Sequence, residues 1–489
     1  MSRYTHQNPL LIEGSVPGRR GVRTATLDVP AHSLGDMLGA ENLRRELPMP
    51  ELSELDVVRH YTSLSHHNYS IDSGFYPLGS CTMKYNPKVN DRIAAMPGYS
   101  RIHPLQPEET VQGALQIMYE LQAMLAEIAG MATATLQPAA GAHAELLSLM
   151  MIQAYYRHRG EEGREVVLIP DSAHGTNPAS AARCGFTVQT IKTGSNGNID
   201  LSGLKAALST QTAALMLTNP STLGLFETRI AEICELAHQR GALVYCDGAN
   251  MNALLGIARP GDMGFDVMHF NLHKTFSTPH GGGGPGGGVI AVQRCLEPFL
   301  PVPVIIHKDG RHYSLEEDRP HTIGRIHSFY GAFLVAVRAY AYIAGLGADG
   351  LREVAENAVL NANYIRAKIA ESFPAAFPQT CMHEVVVSAG GLRRHGVKAL
   401  DVSKRLIDYG FHPPTNYFPL TVPEALMIEP TETESKQTLD TFCEALIQIS
   451  REAEDDPELL RTAPHHTPVS RLNETAAVKK LDVRWSTGG

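Results

Sequence analysis

The chain has 489 residues, of which 43% are hydrophobic and 19% are charged, and its formal net charge is -9. This composition is typical of a globular protein with a large core, and the length predicts two or three domains. The sequence has no block of Lys and Arg and a single Trp, which argues against a nucleic-acid-binding surface.

Membrane insertion, secretion and metal binding are not indicated either. No apolar stretch reaches the length of a membrane span, and SRYTHQNPL near the N-terminus is unlike a signal peptide. The seven cysteines are scattered, odd in number and without CxxC spacing, which favours reduced thiols and a cytoplasmic protein. The 22 histidines form no HExxH pattern, so we expect no metal site.

The first part of the chain is predicted to be an extension without a core of its own. Residues 1–75 are polar and interrupted by prolines, and their pattern predicts one short helix near residues 52–60. The sequence PLGSCTMKYNP at residues 77–87 is expected to form a loop because of its Gly and Pro content. Apolar residues at helical spacing behind Pro107 predict a helix over residues 108–131.

Strand and helix patterns then alternate. The predicted helices include residues 142–157, 201–208 and 230–240. The predicted strands are residues 133–136, 166–169, 188–191, 213–218, 243–246, 267–272 and 289–292. This alternation predicts an α/β domain over residues 76–344, with a mostly parallel sheet and helices on both faces. Ligands of such sheets bind beyond the carboxyl ends of the strands.

The C-terminal part has a different pattern. An apolar helix over residues 331–343 leads away from the sheet. The elements predicted after it are helices at 354–372, 400–409 and 435–454 and strands at 384–388 and 425–428. We therefore expect a smaller α+β domain over residues 345–455, followed by an irregular polar tail at 456–489.

The most informative segment is NLHKTFSTPHGGGGPGGG, in which Lys274 follows a predicted strand. Asp247 ends the preceding strand, in LVYCDGANMNA, so both side chains should lie at one edge of the sheet. Enzymes that use pyridoxal phosphate (PLP) need a lysine that holds the cofactor as a Schiff base and an aspartate that keeps its pyridine nitrogen protonated. A solvated surface lysine and a turn aspartate are the alternatives, and the pairing disfavours both.

The glycine run after Lys274 fits neither of the common nucleotide-binding loops. Gly282, Gly284 and Gly287 match GxGxxG, but the run leads into a predicted strand instead of a helix. A P-loop is excluded because its lysine follows the glycines, whereas Lys274 precedes them. We expect these glycines to let the backbone pack closely against a cofactor or a partner chain.

A short segment, QPAAGAHAE at residues 137–145, connects a predicted strand to a predicted helix. Backbone N–H groups at Gly141 and Ala142, at the start of that helix, are suited to hold a phosphate. His143 is then expected to lie near the cofactor ring and to stack on it. The alternative is an ordinary glycine-containing turn with a partly exposed histidine.

Further candidates end at the same sheet edge. The loop PDSAHGTNP at residues 170–178 contains His174 and Thr176, and His174 is a candidate catalytic group because imidazole carries protons near neutral pH. The alternative role of this loop is to cap the next helix. Thr218 ends another predicted strand and is a candidate contact of the cofactor's ring oxygen, although a simple turn explains it equally well. His273 completes the predicted cofactor contacts.

Six motifs together resemble the glycine dehydrogenase (decarboxylating) P-protein family of the glycine cleavage system. They are PLGSCTMKYNP, HPLQPEE, LQPAAGAHAE, DSAHGTNPASA, NLHKTFSTPHGGGGPG and MIEPTETESK. The resemblance runs from about Tyr61 to the tail, and the length is similar to that of subunit 2 in the two-chain form of the family. It implies an enzyme of fold type I, the PLP-dependent transferase-like fold, with Lys274 as the Schiff-base lysine. Ala144 departs from the pattern, since we expect glycine there.

The resemblance also implies a reaction and its partners. Glycine would lose its carboxyl group as CO2, with Asp247 supporting the protonated ring, and the aminomethyl group would pass to the lipoyl group of H-protein. The implied partners are glycine, lipoylated H-protein and a sister subunit 1, in a heterotetramer. Two alternatives stay open, namely another fold-type I decarboxylase or desulfurase, and a structural PLP-fold partner subunit. Arg325 and Arg338 are only candidates for binding the glycine carboxylate.

Overall fold

The computed structural model describes residues 9–44, 49–280 and 286–483. The chain divides into two compact units, one formed by Met1–Gly74 with Thr462–Gly489 and the other by Phe75–Arg461. The α-helices, in chain order, are α1 Leu34–Leu38, α2 Glu54–Ser65, α3 Lys88–Ala94, α4 Pro97–Ser100, α5 Gln112–Ala129, α6 Gly141–His158, α7 Thr176–Arg183, α8 Leu201–Ala207, α9 Ile230–Gln239, α10 Phe333–Lys368, α11 Ala399–Asp408, α12 Lys436–Asp455, α13 Pro457–Thr462 and α14 Glu474–Lys479.

The second unit contains a seven-stranded sheet with the order β1-β7-β6-β5-β4-β2-β3. The strands of the chain are β1 Thr133–Thr135, β2 Val166–Pro170, β3 Thr187–Ile191, β4 Thr212–Thr218, β5 Leu243–Asp247, β6 Val267–Asn271, β7 Gly288–Val292, β8 Val304–Lys308, β9 His312–Glu316, β10 Val385–Ser388, β11 Thr415–Asn416 and β12 Ala425–Ile428. Only β7 runs against its neighbours in this sheet, and the other pairings are parallel. The predicted, mostly parallel sheet is confirmed.

The two faces of the sheet carry separate apolar cores. Val244 and Cys246 of β5 pack in a core with α5, α9 and α10, whereas Leu243 and Tyr245 pack in another core with α6 and α7. Because successive side chains of a strand point to opposite faces, these cores lie on opposite sides of the sheet. Each fully buried Val or Leu contributes about 1.5–3 kcal/mol. Helices on both faces are therefore confirmed, and they hold the strand ends in fixed positions.

The C-terminal elements of the second unit form a smaller core around the antiparallel sheet β10-β12-β11. The two helices predicted at 331–343 and 354–372 correspond to the two halves of α10, which are separated by a kink at Gly347, where φ is 62° and the backbone is not helical. The glycines at this bend interrupt the apolar pattern, which is why the sequence predicts two helices. Since α10 crosses residues 344 and 345, the proposed domain boundary there stays a prediction.

Two features differ from the sequence-based expectations. The tail beyond residue 456 is not wholly irregular, since it contains α13 and α14. Strands β8 and β9 form a hairpin that the pattern did not reveal, although Asp309 and Gly310, with φ of 53° and 65°, form the Asp-Gly turn that favours a hairpin. Within the described ranges, every helix falls short of the length or the apolar character that a membrane span requires.

Candidate active site

A cavity of about 270 Å³ opens at the carboxyl edge of the seven-stranded sheet. Thr218, Asp247 and His269 lie side by side there, because β4, β5 and β6 pair in register at these residues. Of the eight predicted site residues, seven line the cavity, namely Gly141, Ala142, His174, Thr218, Asp247, His273 and Lys274. The strand order thus brings together residues from five separate segments of the chain.

His143 is the predicted site residue that is not among those lining the cavity. Its Nδ1 atom accepts a hydrogen bond from the N–H group of Ala139 at 3.2 Å. The ring lies 6.3 Å from that of His327, and burial, followed by His327, lowers the pKa of His143. Stacking of His143 on a cofactor ring stays a prediction.

Lys274 is held by the loop that contains the PLGSCTMKYNP motif. Its Nζ atom donates a hydrogen bond to the carbonyl oxygen of Ser80 at 2.7 Å. Ser80 and Thr82 have φ of 61° and 52°, a left-handed conformation that costs about 1–3 kcal/mol for such residues. Two carboxylates offset this cost, since Glu384 accepts from the N–H of Ser80 at 2.7 Å and Glu429 accepts from the N–H of Thr82 at 2.8 Å.

Glu384 and Glu429 form a buried acidic pair that the sequence interpretation did not assign to the site. Burial raises the pKa of both, that of Glu384 to about 8 with a further contribution from Glu429. Burial also lowers the pKa of the adjacent His383 to about 3. The three side chains place possible ligand atoms within 4.8 Å of one another. The available sequence signals were His383 and Glu384 at the start of one predicted strand and Glu429 after another. The expected lack of a metal site stays a prediction.

Asp247 is 4% exposed and receives two hydrogen bonds. Nδ2 of Asn177 donates to one oxygen at 3.2 Å, and the N–H of Ala249 donates to the other at 3.1 Å. His269 Nε2 lies 3.6 Å from Asp247, and burial lowers the pKa of this histidine. The other ring nitrogen of His269 bonds the hydroxyl of Tyr245. These contacts stabilise a negative charge on Asp247 beside the cavity.

Glu145, in the second turn of α6, is a second carboxyl group at this wall, and it too was not predicted as a site residue. It is 4% exposed, and burial, followed by the charge of Asp247, raises its pKa to about 8. Its Oε1 atom lies 2.8 Å from the hydroxyl oxygen of Thr176, and that oxygen lies 2.8 Å from Nδ1 of His174. A hydrogen-bonded chain therefore connects buried Glu145 with the exposed ring of His174.

His273 packs beneath the end of the glycine run. Its Nδ1 atom accepts from the N–H of Gly287 at 3.3 Å, and burial, followed by His280, lowers its pKa to about 4. A Cβ atom at Gly286 would lie 2.5 Å from His273 Nδ1, so glycine is required for this close approach. Two residues of the GxGxxG match, glycines 282 and 284, lie outside the described residues.

The residues around the cavity fit PLP. Five buried lining atoms have no hydrogen-bond partner, namely Glu145 Oε2, Thr218 Oγ1, His269 Nε2, Asn271 Oδ1 and His383 Nδ1. Buried polar atoms are normally paired, so these atoms indicate a polar ligand. The N-terminus of α6, an 18-residue helix that begins at Gly141, supplies N–H groups for a phosphate. Lys274 provides an amine for an aldehyde, and Asp247 provides an anion for a protonated ring nitrogen.

Neither arginine suggested for binding a carboxylate lines the cavity. Arg325 forms an ion pair with Glu317. Arg338 bonds Asp91 through Nε at 2.6 Å. Both arginines are therefore paired with carboxylates outside the lining of the cavity.

The motifs and the site agree with two family models. Residues 31–311 match the model of the glycine cleavage system P-protein. Residues 354–465 match the model of the C-terminal domain of glycine dehydrogenase. Together these matches cover the large sheet, Lys274 and the smaller antiparallel sheet.

Relatives match along almost the whole chain. The probable glycine dehydrogenase (decarboxylating) subunit 2 of Caldanaerobacter subterraneus is 58% identical over 480 residues, which cover 98% of this chain and 99% of that protein. The protein of the same name from Listeria monocytogenes is 54% identical over 478 residues, with 98% of each chain covered.

Solved structures confirm the fold-type I architecture. The chain is similar to an inhibitor-bound crystal structure of glycine decarboxylase (P-protein) of the glycine cleavage system, with a TM-score of 0.73, 25% identity and coverage of 86% of this chain and 95% of that one. A cysteine desulfurase from Thermococcus onnurineus has a TM-score of 0.61 and 15% identity, covers 78% of this chain and 95% of its own, and shows the shared fold alone. The chain therefore belongs to the glycine cleavage system P-protein family.

Proposed function

We propose that this chain catalyses the PLP-dependent decarboxylation of glycine, releases CO2 and passes the aminomethyl group to the lipoyl group of H-protein. One observation carries the proposal. Lys274 and Asp247 meet at one cavity at the carboxyl edge of the sheet, in a chain that is 58% identical to a probable glycine dehydrogenase (decarboxylating) subunit 2.

The proposed cofactor contacts follow from the geometry of the cavity. Lys274 would bind the aldehyde, Asp247 would hold the ring nitrogen, and the N–H groups of Gly141 and Ala142 would hold the phosphate. Thr218 is the proposed contact of the ring oxygen, and the lack of a partner for its hydroxyl oxygen supports this role. When bound, PLP supplies the electron sink for cleavage of the bond between the glycine α-carbon and its carboxylate.

The chain's own residues orient the reactants and manage protons. Asp247, held by Asn177 and Ala249, keeps a proton on the ring nitrogen, and its charge acts strongly because the site is partly dry. Lys274 takes up or releases a proton at Nζ, with the carbonyl oxygen of Ser80 as its hydrogen-bond acceptor. His174, at the exposed edge of the cavity, is the second proposed group that handles a proton.

The proposed partners are glycine, lipoylated H-protein and a sister subunit 1, in a heterotetramer. The support is that relatives named subunit 2 are matched over 98% and 99% of their length. Among the described residues that line the cavity, none is Arg, and we propose that the sister subunit completes the site that binds the substrate carboxylate. We also propose a cytoplasmic location, which the seven free cysteines support.

The alternatives have weaker support. The likeness to a cysteine desulfurase rests on the fold alone, at 15% identity. A purely structural role is disfavoured because Lys274 and Asp247 are both present and both line the cavity. No contact in the described parts of the chain favours either alternative over glycine decarboxylation.

The test is the exchange of labelled CO2 into glycine, with lipoylated H-protein present and the sister subunit added or withheld. We expect exchange with both partners and little exchange from this chain alone. Lys274→Arg is the matched control, because it keeps the positive charge but cannot bind the aldehyde. Absence of exchange in every arm would overturn the proposed reaction. Full exchange without the sister subunit would overturn only the two-subunit arrangement.

A further inference from the structure

Glu145 is a buried carboxyl group without a role in the proposed reaction. It lies on α6 next to Asp247, and possible ligand atoms of Glu145, Asp247 and His269 lie within 4.8 Å of one another. Two ionised carboxylates this close in a buried site repel each other strongly, so one of them keeps its proton. Asp247 has two hydrogen-bond donors and the task of carrying the negative charge. The proton therefore belongs on Glu145.

The assignment of donors and acceptors among Glu145, Thr176 and His174 also indicates that Glu145 is protonated, and it does so without any electrostatic argument. The Thr176 hydroxyl oxygen lies 2.8 Å from Glu145 Oε1 and 2.8 Å from His174 Nδ1, and the N–H of Thr176 donates to the same Nδ1 at 3.3 Å. Since this Nδ1 accepts, it carries no hydrogen, and the Thr176 hydroxyl has to donate its single hydrogen to His174. An ionised Glu145 would instead accept from this hydroxyl. With the hydrogen of Thr176 committed to His174, the hydroxyl oxygen is an acceptor for Glu145, and only a protonated carboxyl group can donate to it.

We propose that Glu145, as a neutral carboxylic acid, acts through Thr176 to fix His174 in the tautomer that carries its hydrogen on Nε2. Glu145 is thus a positioning residue, and His174 is the group that meets the substrate. In the described part of the chain no hydrogen bond reaches Nε2 of His174, and this ring lines the cavity. The opposite tautomer would present an acceptor, which repels an anion.

The consequence concerns recognition of the substrate carboxylate. An N–H donor at the cavity edge suits an anionic carboxylate, which is the group that glycine presents. This part of the inference rests on the proposed function. Its importance is greater because no Arg lines the cavity among the described residues.

The protonation state is tested by infrared difference spectroscopy at neutral pH, comparing the full chain with its Glu145→Gln variant. We expect the difference spectrum to contain the band of a protonated carboxylic acid that is present in the wild type and lost in the variant. Loss of carboxylate bands instead would overturn the proposal. Because this measurement needs no turnover, it decides the state of Glu145 even if the proposed reaction is wrong.

The positioning role is tested with two matched pairs of variants in glycine–CO2 exchange, using PLP, H-protein and the sister subunit. Glu145→Leu and Thr176→Val remove the hydrogen-bonded chain, and we expect kcat/KM for glycine to fall about 10- to 100-fold. Glu145→Gln and Thr176→Ser keep a donor and an acceptor, and each should recover most of the loss. Thermal unfolding and PLP absorbance identify any variant that does not fold, and either pair suffices if the other fails.

Three outcomes decide the matter. Recovery in the conservative variants only, together with the infrared band, supports the proposal. A Glu145→Gln variant as inactive as Glu145→Leu overturns it, because the charge and not the donor would then matter. Wild-type activity in Glu145→Leu or Thr176→Val also overturns it. Lack of exchange in the wild type counts against the proposed function and leaves the infrared result to decide the state of Glu145.

Discussion

Asp247→Asn is the substitution that isolates the charge proposed to hold the ring nitrogen protonated. Asparagine has nearly the same shape, and the N–H of Ala249 can still donate to its remaining oxygen. The new amide group would face Nδ2 of Asn177, but Oδ1 of Asn177 has no partner. A rotation of the Asn177 amide therefore restores a hydrogen bond. We expect the variant to fold and to bind PLP through Lys274.

The expected magnitude follows from the loss of one charge in a nearly buried position, since Asp247 is 4% exposed. Without the anion, the pKa of the ring nitrogen should fall by about two to three, and each pKa unit corresponds to about 1.4 kcal/mol. The barrier to decarboxylation would then rise by about 3–4 kcal/mol, which slows the reaction about 100- to 1000-fold. Cofactor binding should change much less, because the aldehyde and phosphate contacts remain.

The assay is glycine–CO2 exchange with H-protein and the sister subunit, together with PLP titration and thermal unfolding of the variant. Asp266→Asn is the matched control, because Asp266 precedes β6 at the end opposite Asn271 and accepts from the N–H of Val244 at 2.8 Å. That control should keep its exchange activity. If Asp247→Asn retains activity within about tenfold of the wild type, the reasoning about Asp247 is wrong.

Three further outcomes are expected. Lys84 Nζ pairs with Glu432 at 2.8 Å, with side-chain exposures of 1% and 10%, so Lys84→Met should lower the free energy of unfolding by about 3–5 kcal/mol. Urea denaturation measures this, and adding Glu432→Gln should recover part of the loss; unchanged stability would contradict the argument. A Cβ at Gly141 would lie 2.6 Å from Asn271 Oδ1, whereas one at Gly163 meets nothing within 4 Å. Gly141→Ala should therefore weaken PLP binding in an absorbance titration while Gly163→Ala does not, and equal affinities would refute the close packing. Glu145 binds its proton more tightly in the folded chain than in the unfolded chain, so its protonation stabilises the folded state. This stabilisation is complete below the ordinary pKa of 4.5 and is lost as the pH rises through about 8. Denaturation at several pH values should show that the wild type loses stability relative to Glu145→Gln between pH 4.5 and about 8. A difference in unfolding free energy that stays constant over this range would contradict the raised pKa of Glu145.

The strands around the site were predictable because both of their faces are buried. A continuous apolar run such as the one at 243–246 is typical of a strand that is buried on both faces. The observed β5 differs from the prediction only by including Asp247. The hairpin β8–β9 was missed because its side chains are mostly half-buried, so its apolar pattern is weak. The break between the two helical segments of α10 was predictable because the glycines around Gly347 interrupt the apolar pattern.

The pairing of Lys274 with Asp247 was predictable for a local reason. Asp247 ends β5 and Lys274 follows β6, and these two strands are consecutive in the chain and adjacent in the sheet, where Asp247 pairs with His269. The order of strands therefore decides their proximity. The same argument predicted His174, which follows β2, and Thr218, which ends β4.

The carboxyl groups of the site could not be predicted in this way. The carbonyl oxygen of Ser80 accepts a hydrogen bond from Lys274, which is 194 residues away in the sequence. The N–H group of Ser80 donates to Glu384, which is 304 residues away. No local periodicity connects such distant segments. Glu145 was visible in the motif LQPAAGAHAE, but its role depends on the neighbouring Asp247 and on Thr176, which only the folded chain brings together.

The most direct test of the central claim is the identity of the lysine that binds PLP. The holoenzyme is reduced with borohydride and digested, and the labelled peptide is identified by mass spectrometry. The account predicts a pyridoxyl group on Lys274, in the peptide that contains NLHKTF. A label on any other lysine, such as the buried Lys84, or no labelled lysine at all, would contradict it.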